Sequence, residues 1–237
     1  MKNVLLSSSF GLLIAISAGM LNLANAADFQ KGLLAYFKGD YETAIGEWRP
    51  LAEEGVPEAQ HHLGILYDNG QGVFRDDVEA VKWYRRAAEK GYASAQFNLG
   101  ASYIRGEGVL RDFDKAIHWY KMAAEQGDPV AQYHLGLSYD SGQGVSPDYS
   151  EAVRWYRRAA QQGYAIAQHA IGYMYRVGNG VTQDYIRAHM WANIARRNGD
   201  NKAAVTIAVL EGRMSRDAIR HATSLAHKCI ESDYLDC

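Results

Sequence analysis

The stretch Ala59–Gly91, AQHHLGILYDNGQGVFRDDVEAVKWYRRAAEKG, decides how this chain folds. Its features recur three more times at steps of 36 residues, as one glycine column shows: Gly64, Gly100, Gly136 and Gly172. The same step relates an alanine, a tyrosine, a second glycine and a tryptophan in every copy. A strict period of this length is typical of a solenoid, in which each repeat buries its apolar face against its neighbours.

Each repeat has the pattern of two helices joined by a glycine loop. Leu63, Leu66 and Tyr67 have the i, i+3, i+4 spacing of one helical face. The loop Asn69–Gly72 ends this helix, because glycine adopts a left-handed conformation without a side-chain clash. Asp76 is predicted to cap the second helix, where its carboxylate can accept free backbone N–H groups. It recurs as Asp112, Asp148 and Asp184.

The repeated pattern A-Q-x-x-L-G-x-x-Y-x-x-G-x-G-V-x-x-D-x-x-x-A-x-x-W-Y-x-x-A-A-x-x-G resembles the Sel1-like repeat family, which is related to tetratricopeptide repeats. The resemblance implies an all-α fold, a right-handed α-α superhelical solenoid of helical hairpins. It also implies a non-catalytic scaffold for protein–protein interaction. The four matched repeats are drawn at 59–94, 95–130, 131–166 and 167–199.

The first 26 residues are predicted to be a secretory signal peptide. Lys2 precedes an apolar region, Phe10–Leu23, which is followed by the A-x-A sequence Ala24–Ala26. A membrane anchor is the alternative, but polar residues interrupt the apolar region, and a spanning helix needs about 20 predominantly apolar residues. We therefore expect cleavage near Ala26, a periplasmic or secreted mature protein, and no stable membrane insertion.

Atypical hairpins are predicted on both sides of the repeats, as caps over residues 27–58 and 200–237. The first lacks the glycine loop, and Pro50 is expected to kink its second helix or split it after Arg49. In the last, Asp200 and Ser215 are expected to cap two helices, at 201–211 and 216–230. The two cysteines, Cys229 and Cys237, are predicted to form a disulfide in an oxidising compartment. Free thiols or a pairing between chains are the alternatives.

The charge of the chain argues against a nucleic-acid binder. It has 25 Lys and Arg residues against 27 Asp and Glu, a net charge of −2, and no basic block. The densest basic pairs, Arg85–Arg86 and Arg157–Arg158, alternate with acids such as Glu79 and Glu151. We therefore interpret them as a solvated helix face.

No catalytic or metal-binding motif is found in the sequence. It contains no G-x-S-x-G, H-E-x-x-H or G-x-x-x-x-G-K-[ST] motif, and the G-x-G pairs recur in every repeat as turns. His61, His62, His134 and His169 all fall on first helices, but stacked helices are roughly 10 Å apart, too far for shared zinc ligands. We predict no enzyme activity, no metal and no cofactor.

The predicted binding surface is a stripe on the first helices, on the side opposite Leu63 and Leu66. Such a stripe would suit an extended peptide or a partner's helix. The alternative is that its aromatic residues pack between neighbouring repeats. The candidate residues are His61, Ile65, Phe97, Tyr133, Leu137, His169, Tyr173 and Arg176.

These observations together predict an exported, monomeric scaffold that binds a protein partner. What is known of the Sel1-like family suggests envelope complex assembly, regulation of signalling, or contact with host proteins. One alternative is a cell-wall-related hydrolase or a binder of penicillin-type ligands. Another is a structural subunit of an envelope machine, which would make its contacts through the ends of the solenoid.

Overall fold

The computed structural model of the protein describes residues 28–234 and Cys237. These residues form twelve helices and no strand, which confirms the all-α prediction for the part described. The first ten pair as five consecutive hairpins, and the last two both pack against the tenth. The helices are α1 (28–37), α2 (Tyr41–Glu54), α3 (Pro57–Asn69), α4 (Asp77–Glu89), α5 (Ala93–Arg105), α6 (Phe113–Glu125), α7 (Pro129–Ser141), α8 (Tyr149–Gln161), α9 (Ala165–Val177), α10 (Tyr185–Arg197), α11 (Ala203–Glu211) and α12 (Arg216–Glu231).

The helix boundaries follow the predicted capping signals. Gly70 is the left-handed C-cap of α3, with a φ of 65°. Asp76, the N-cap of α4, accepts a hydrogen bond from the N–H of Glu79 at 2.9 Å. The equivalent aspartates of the other three repeats cap α6, α8 and α10 in the same way. The two-helix pattern read from the sequence is therefore confirmed.

A glycine in four of the first helices, namely α1, α3, α5 and α7, lets an aromatic ring of the second helix approach the backbone. A β-carbon on Gly64 would lie 2.6 Å from the ring of Tyr84. In the N-terminal hairpin the ring of Trp48 takes this place over Gly32. The turn between α1 and α2 has only the residues 38–40, whereas residues 70–76 join α3 to α4.

The predicted split of the helix after Arg49 does not occur, because α2 continues through Pro50 to Glu54. A proline removes the hydrogen bond to the carbonyl four residues earlier and crowds that carbonyl. That residue is Gly46, which has no side chain and is exposed, as is Pro50 itself. Water can therefore satisfy the freed carbonyl, and the helix tolerates the ring.

The described chain forms two compact units. The N-terminal unit contains residues 28–95 and Glu107–Val109, and its core is built around Trp48, Leu63 and Leu66. The C-terminal unit contains Gln96–Gly106 and the chain from Leu110 onward. Its core is built around Tyr156, Ile171, Met174, Trp191 and Leu210.

The first helix of the C-terminal cap starts later than predicted. Residues 201–202 form a turn, in which the Asp200 side chain accepts a hydrogen bond from the N–H of Lys202 at 2.9 Å, and α11 begins at Ala203. Ser215 caps α12 as expected. The sulfur atoms of Cys229 and Cys237 lie within bonding distance, with their Cα atoms 5.0 Å apart.

The predicted signal peptide lies outside the described residues, as does Asp236. No helix of the described chain combines the length and the apolar character that crossing a membrane requires.

Candidate functional site

An open groove of about 580 Å³ lies on the C-terminal unit, between α7, α9 and the loop that leads into α11. We call it the apolar groove. Four of the predicted stripe residues line it, namely Tyr133, Leu137, His169 and Tyr173. The spacing of four within each helix places each pair on one face, one turn apart.

Two of these side chains leave much of their apolar surface in water. Leu137 is 40% exposed and Tyr173 is 44% exposed. Ile166, also in the lining, is 47% exposed. When a partner covers an aliphatic and aromatic surface of this kind, the burial favours binding by about 25 cal/mol for each Å² removed from water.

Tyr133 belongs both to the groove and to the core beneath it. Its ring centroid lies 5.6 Å from that of Tyr156 and 5.7 Å from that of Tyr164. Burial raises the pKa of the Tyr133 hydroxyl, so this group stays neutral at physiological pH. Tyr133 forms a fixed wall of the groove, in agreement with the alternative that stripe aromatics pack within the fold.

His169 lines the groove and is hydrogen-bonded to Asp200 and Thr206. Its Nδ1 lies 2.7 Å from Asp200 Oδ2, and its Nε2 lies 2.9 Å from Thr206 Oγ1. Both ring nitrogens are thus used in holding α9 to α11 and the loop before it.

Few charges surround this apolar surface. Asp140 accepts a hydrogen bond from the Tyr156 hydroxyl at 3.3 Å, and Lys202 is exposed at the opposite end. Arg176, another predicted residue, is absent from the lining and stacks its guanidinium 4.8 Å from the ring centroid of Tyr173. The arrangement is suited to holding apolar side chains of a ligand, with an acid and a base at its margins.

The structure places three predicted residues away from this groove. His61 and Ile65 belong to the N-terminal unit, where His61 is only 7% exposed and packs against the rings of Tyr84 and Tyr92. This packing of His61 agrees with the alternative that stripe residues pack within the fold. Phe97 stacks on Tyr120, with a centroid distance of 5.5 Å.

A row of buried amides had no role in the sequence reading. Gln132 Nε2 donates to the carbonyl of Ala124 at 3.1 Å, and its Oε1 accepts from Gln162 Nε2 at 2.9 Å. The same pairing joins Gln168 to Asn198, whose amide also donates to the Tyr234 hydroxyl. The signal was present in the sequence, as a glutamine after the first alanine of every repeat.

The residues described include no group of three or more His, Cys, Asp or Glu side chains placed to hold a metal ion.

The family described as Sel1 repeat matches residues 57–92, 93–128, 129–164 and 165–200. These repeats begin two residues before those drawn from the sequence pattern. No curated protein matches the chain.

Several solved structures resemble the chain. A Sel1 repeat protein from Oxalobacter formigenes is 38% identical, with a TM-score of 0.70, over 76% of this chain and 74% of that one. A protective antigen of uropathogenic Escherichia coli strains is 33% identical, with a TM-score of 0.74, over 89% of this chain. The match spans only 46% of that antigen.

An immunity protein from Pseudomonas aeruginosa shares the fold, with 20% identity and a TM-score of 0.52, over 86% of this chain and 80% of that one. With four matched repeats and a related structure at 38% identity, the chain belongs to the Sel1 repeat family, whose members generally act as non-catalytic scaffolds for protein–protein interaction.

Proposed function

We propose that this protein is an exported scaffold that binds an extended segment of a partner protein in the apolar groove. The observation that carries the proposal is the exposed apolar lining, in which Leu137, Ile166 and Tyr173 lie together in one open concavity. A peptide with aliphatic or aromatic side chains would bury this surface, and the fixed rings of Tyr133 and Tyr156 would lose little conformational entropy on binding.

Export rests on the predicted signal peptide and is supported by the cysteine pair. Thiols at bonding distance persist as a disulfide in the periplasm or outside the cell, whereas the cytosol keeps them reduced. We accordingly propose a role at the cell envelope or in contact with a host protein.

The hydrolase alternative has one structural feature in its favour. Thr206, His169 and Asp200 are linked in the order of a nucleophile, a base and an orienting acid. Thr206 is not among the groove's lining residues, and the amides of Ala203, Ala204 and Val205 already bond to carbonyls, which leaves them unable to stabilise an oxyanion. We therefore prefer the scaffold.

The structural-subunit alternative is favoured by apolar side chains on the terminal hairpins. Phe37 in α1 is 77% exposed, and Val205 in α11 is 70% exposed. In a solenoid the outer faces of the terminal repeats have no neighbour to cover them.

The test is photo-crosslinking in cells with a reactive residue at position 173, followed by mass spectrometry. Position 173 is preferable to 133, because Tyr133 packs on the core and its replacement would disturb the fold. We expect one dominant protein partner at 173. A partner captured only at position 37 or 205 would favour the structural subunit, and no protein partner at any of them would overturn the scaffold.

Binding to that partner then provides a quantitative check. Tyr173→Ala should weaken binding about tenfold, the usual scale for an exposed aromatic anchor, with the melting temperature nearly unchanged. Tyr133→Ala should lower the melting temperature as well, since its ring is part of the packing.

A further inference from the structure

A second groove, of about 410 Å³, lies on the C-terminal unit and shares no lining residue with the apolar groove. Three arginines of α8 line it, namely Arg154, Arg157 and Arg158. Their i, i+3, i+4 spacing brings them within one helical turn. We call this feature the arginine groove.

Aromatic side chains hold these arginines in place. The guanidinium carbons of Arg154 and Arg158 lie 4.8 and 4.6 Å from the ring centroid of Trp155. Arg157 donates to the hydroxyl of Tyr175 at 3.0 Å. A guanidinium fixed in this way loses little entropy when it forms a hydrogen bond, which favours ligand binding.

The charge around the groove is not balanced. Arg187 of α10 donates to the same Tyr175 hydroxyl at 3.5 Å, so two guanidinium groups converge on one oxygen atom. Glu151 pairs with Arg154, and Asp184 lies 3.7 Å from Arg187. In the described chain, no carboxylate forms an ion pair with Arg157 or Arg158. The three arginines of α8 are exposed, as expected of a solvated helix face, but the neighbouring acids do not balance their charge.

We propose that the arginine groove binds an acidic segment of a partner protein through its Asp and Glu carboxylates. Guanidinium groups pair with carboxylates through two parallel hydrogen bonds. The three cations of the lining are spread over one turn of α8, and Val153 and Val181 contribute apolar lining. This distribution suits several single charges along a peptide better than one compact phosphate ion.

The repeat architecture supplies a matched control on α4. The equivalent positions are Lys82, Arg85 and Arg86, and the Arg86 guanidinium lies 4.6 Å from the ring centroid of Trp83. This helix also contains Asp77, Glu79 and Glu89, which balance its basic residues. Helix α4 thus has the same contact of an arginine with a tryptophan ring, but without an excess of positive charge.

The test is a fluorescence anisotropy titration of a labelled oligoglutamate peptide with the mature full-length protein at low and physiological salt. We expect binding that weakens with salt, a loss of about fivefold in Arg158→Gln, and a change below twofold in Arg86→Gln. Arg158→Met keeps the apolar stem on Trp155, so it should show the same loss with unchanged melting.

The absence of peptide binding would overturn the proposal, as would equal losses in Arg158→Gln and Arg86→Gln. Inorganic phosphate that competes at the same concentration as the peptide would reassign the groove to a single phosphate group. Arg158-dependent binding to phosphatidylglycerol vesicles without peptide binding would reassign it to a membrane surface.

Discussion

The ring of Tyr156 lies against the backbone of Gly136, with ring carbons 2.7 and 2.8 Å from the point that a β-carbon would occupy. This approach brings α7 and α8 close together, and it is repeated between Gly100 and Tyr120. In the fourth repeat Ala192 stands in the tyrosine's column, so the space beside Gly172 is less crowded.

Gly136→Ala is therefore expected to destabilise the protein by about 1 to 3 kcal/mol, because the methyl group displaces a buried ring. The gain in helix propensity, about 1 kcal/mol, offsets part of this cost. Gly172→Ala is the control, because its nearest atom is the Ala188 carbonyl oxygen at 3.2 Å and no ring lies against it, and it should cost less than Gly136→Ala. Urea unfolding measures both, and equal effects would show that the ring contact does not limit this position.

His61 makes the stability of the N-terminal unit sensitive to acid. Burial, with a smaller contribution from the charge of His62, lowers the pKa of His61 from 6.5 to about 3. Below pH 6.5 the unfolded chain takes up a proton that the folded state does not accept until about pH 3. The contribution of His61 to stability is therefore constant above pH 6.5 and falls as the pH drops through this window, by about 2 kcal/mol at pH 5.

His61→Phe provides the comparison, because Phe97 is the natural residue of this column in the next repeat. The variant should lose about 2 kcal/mol less than the wild type between pH 7 and pH 5, measured from urea midpoints. Burial also lowers the pKa of His62, which leaves some pH dependence in both proteins. An unchanged dependence in the variant would mean that His61 is protonated in the folded state at pH 5.

The elements that repeat are those that the sequence predicts best. The caps at Asp76 and its copies, the glycine turns and the two-helix unit all follow from local chemistry, which four copies make plain. Whether the residue at an equivalent position of each repeat is buried or exposed is harder to predict, because this depends on the neighbouring repeat. His61 is buried while Tyr173 is half exposed, although the sequence pattern predicts one stripe for both. The arginine groove likewise depends on Tyr175 and Arg187, which are remote from α8 in sequence.

Each buried glutamine amide should contribute to the free energy of unfolding according to the number of hydrogen bonds that it forms. Gln132→Leu removes two, one to the Ala124 carbonyl and one from Gln162, and should cost about 1 to 3 kcal/mol. Gln60 donates to the Ala52 carbonyl, but its Oε1 has no hydrogen-bond partner among the described residues. Gln60→Leu should therefore cost less. Equal losses in the two variants, by urea unfolding, would refute a role for the pairing with Gln162.

The cysteine pair gives a direct test of the compartment and of the C-terminal cap. Cys229 is buried. Cys237 lies three residues after Tyr234, whose hydroxyl accepts a hydrogen bond from Asn198 Nδ2 at 2.8 Å. If the bond forms in the exported protein, an alkylating reagent should label neither cysteine in denatured, unreduced samples, and both after reduction. Closing so short a loop should stabilise the fold by about 2 kcal/mol, which reductant removes.

A variant with Cys229→Ser and Cys237→Ser is the control, and its stability should not respond to reductant. Tyr234→Phe removes only the hydrogen bond to Asn198 and should cost about 1 kcal/mol while leaving the response to reductant intact. Two reactive thiols before reduction, or a dimer band on a non-reducing gel, would contradict the intramolecular bond. Because the disulfide and the hydrogen bond to Asn198 restrain the same short segment, reduction and Tyr234→Phe should together cost less than the sum of their separate effects.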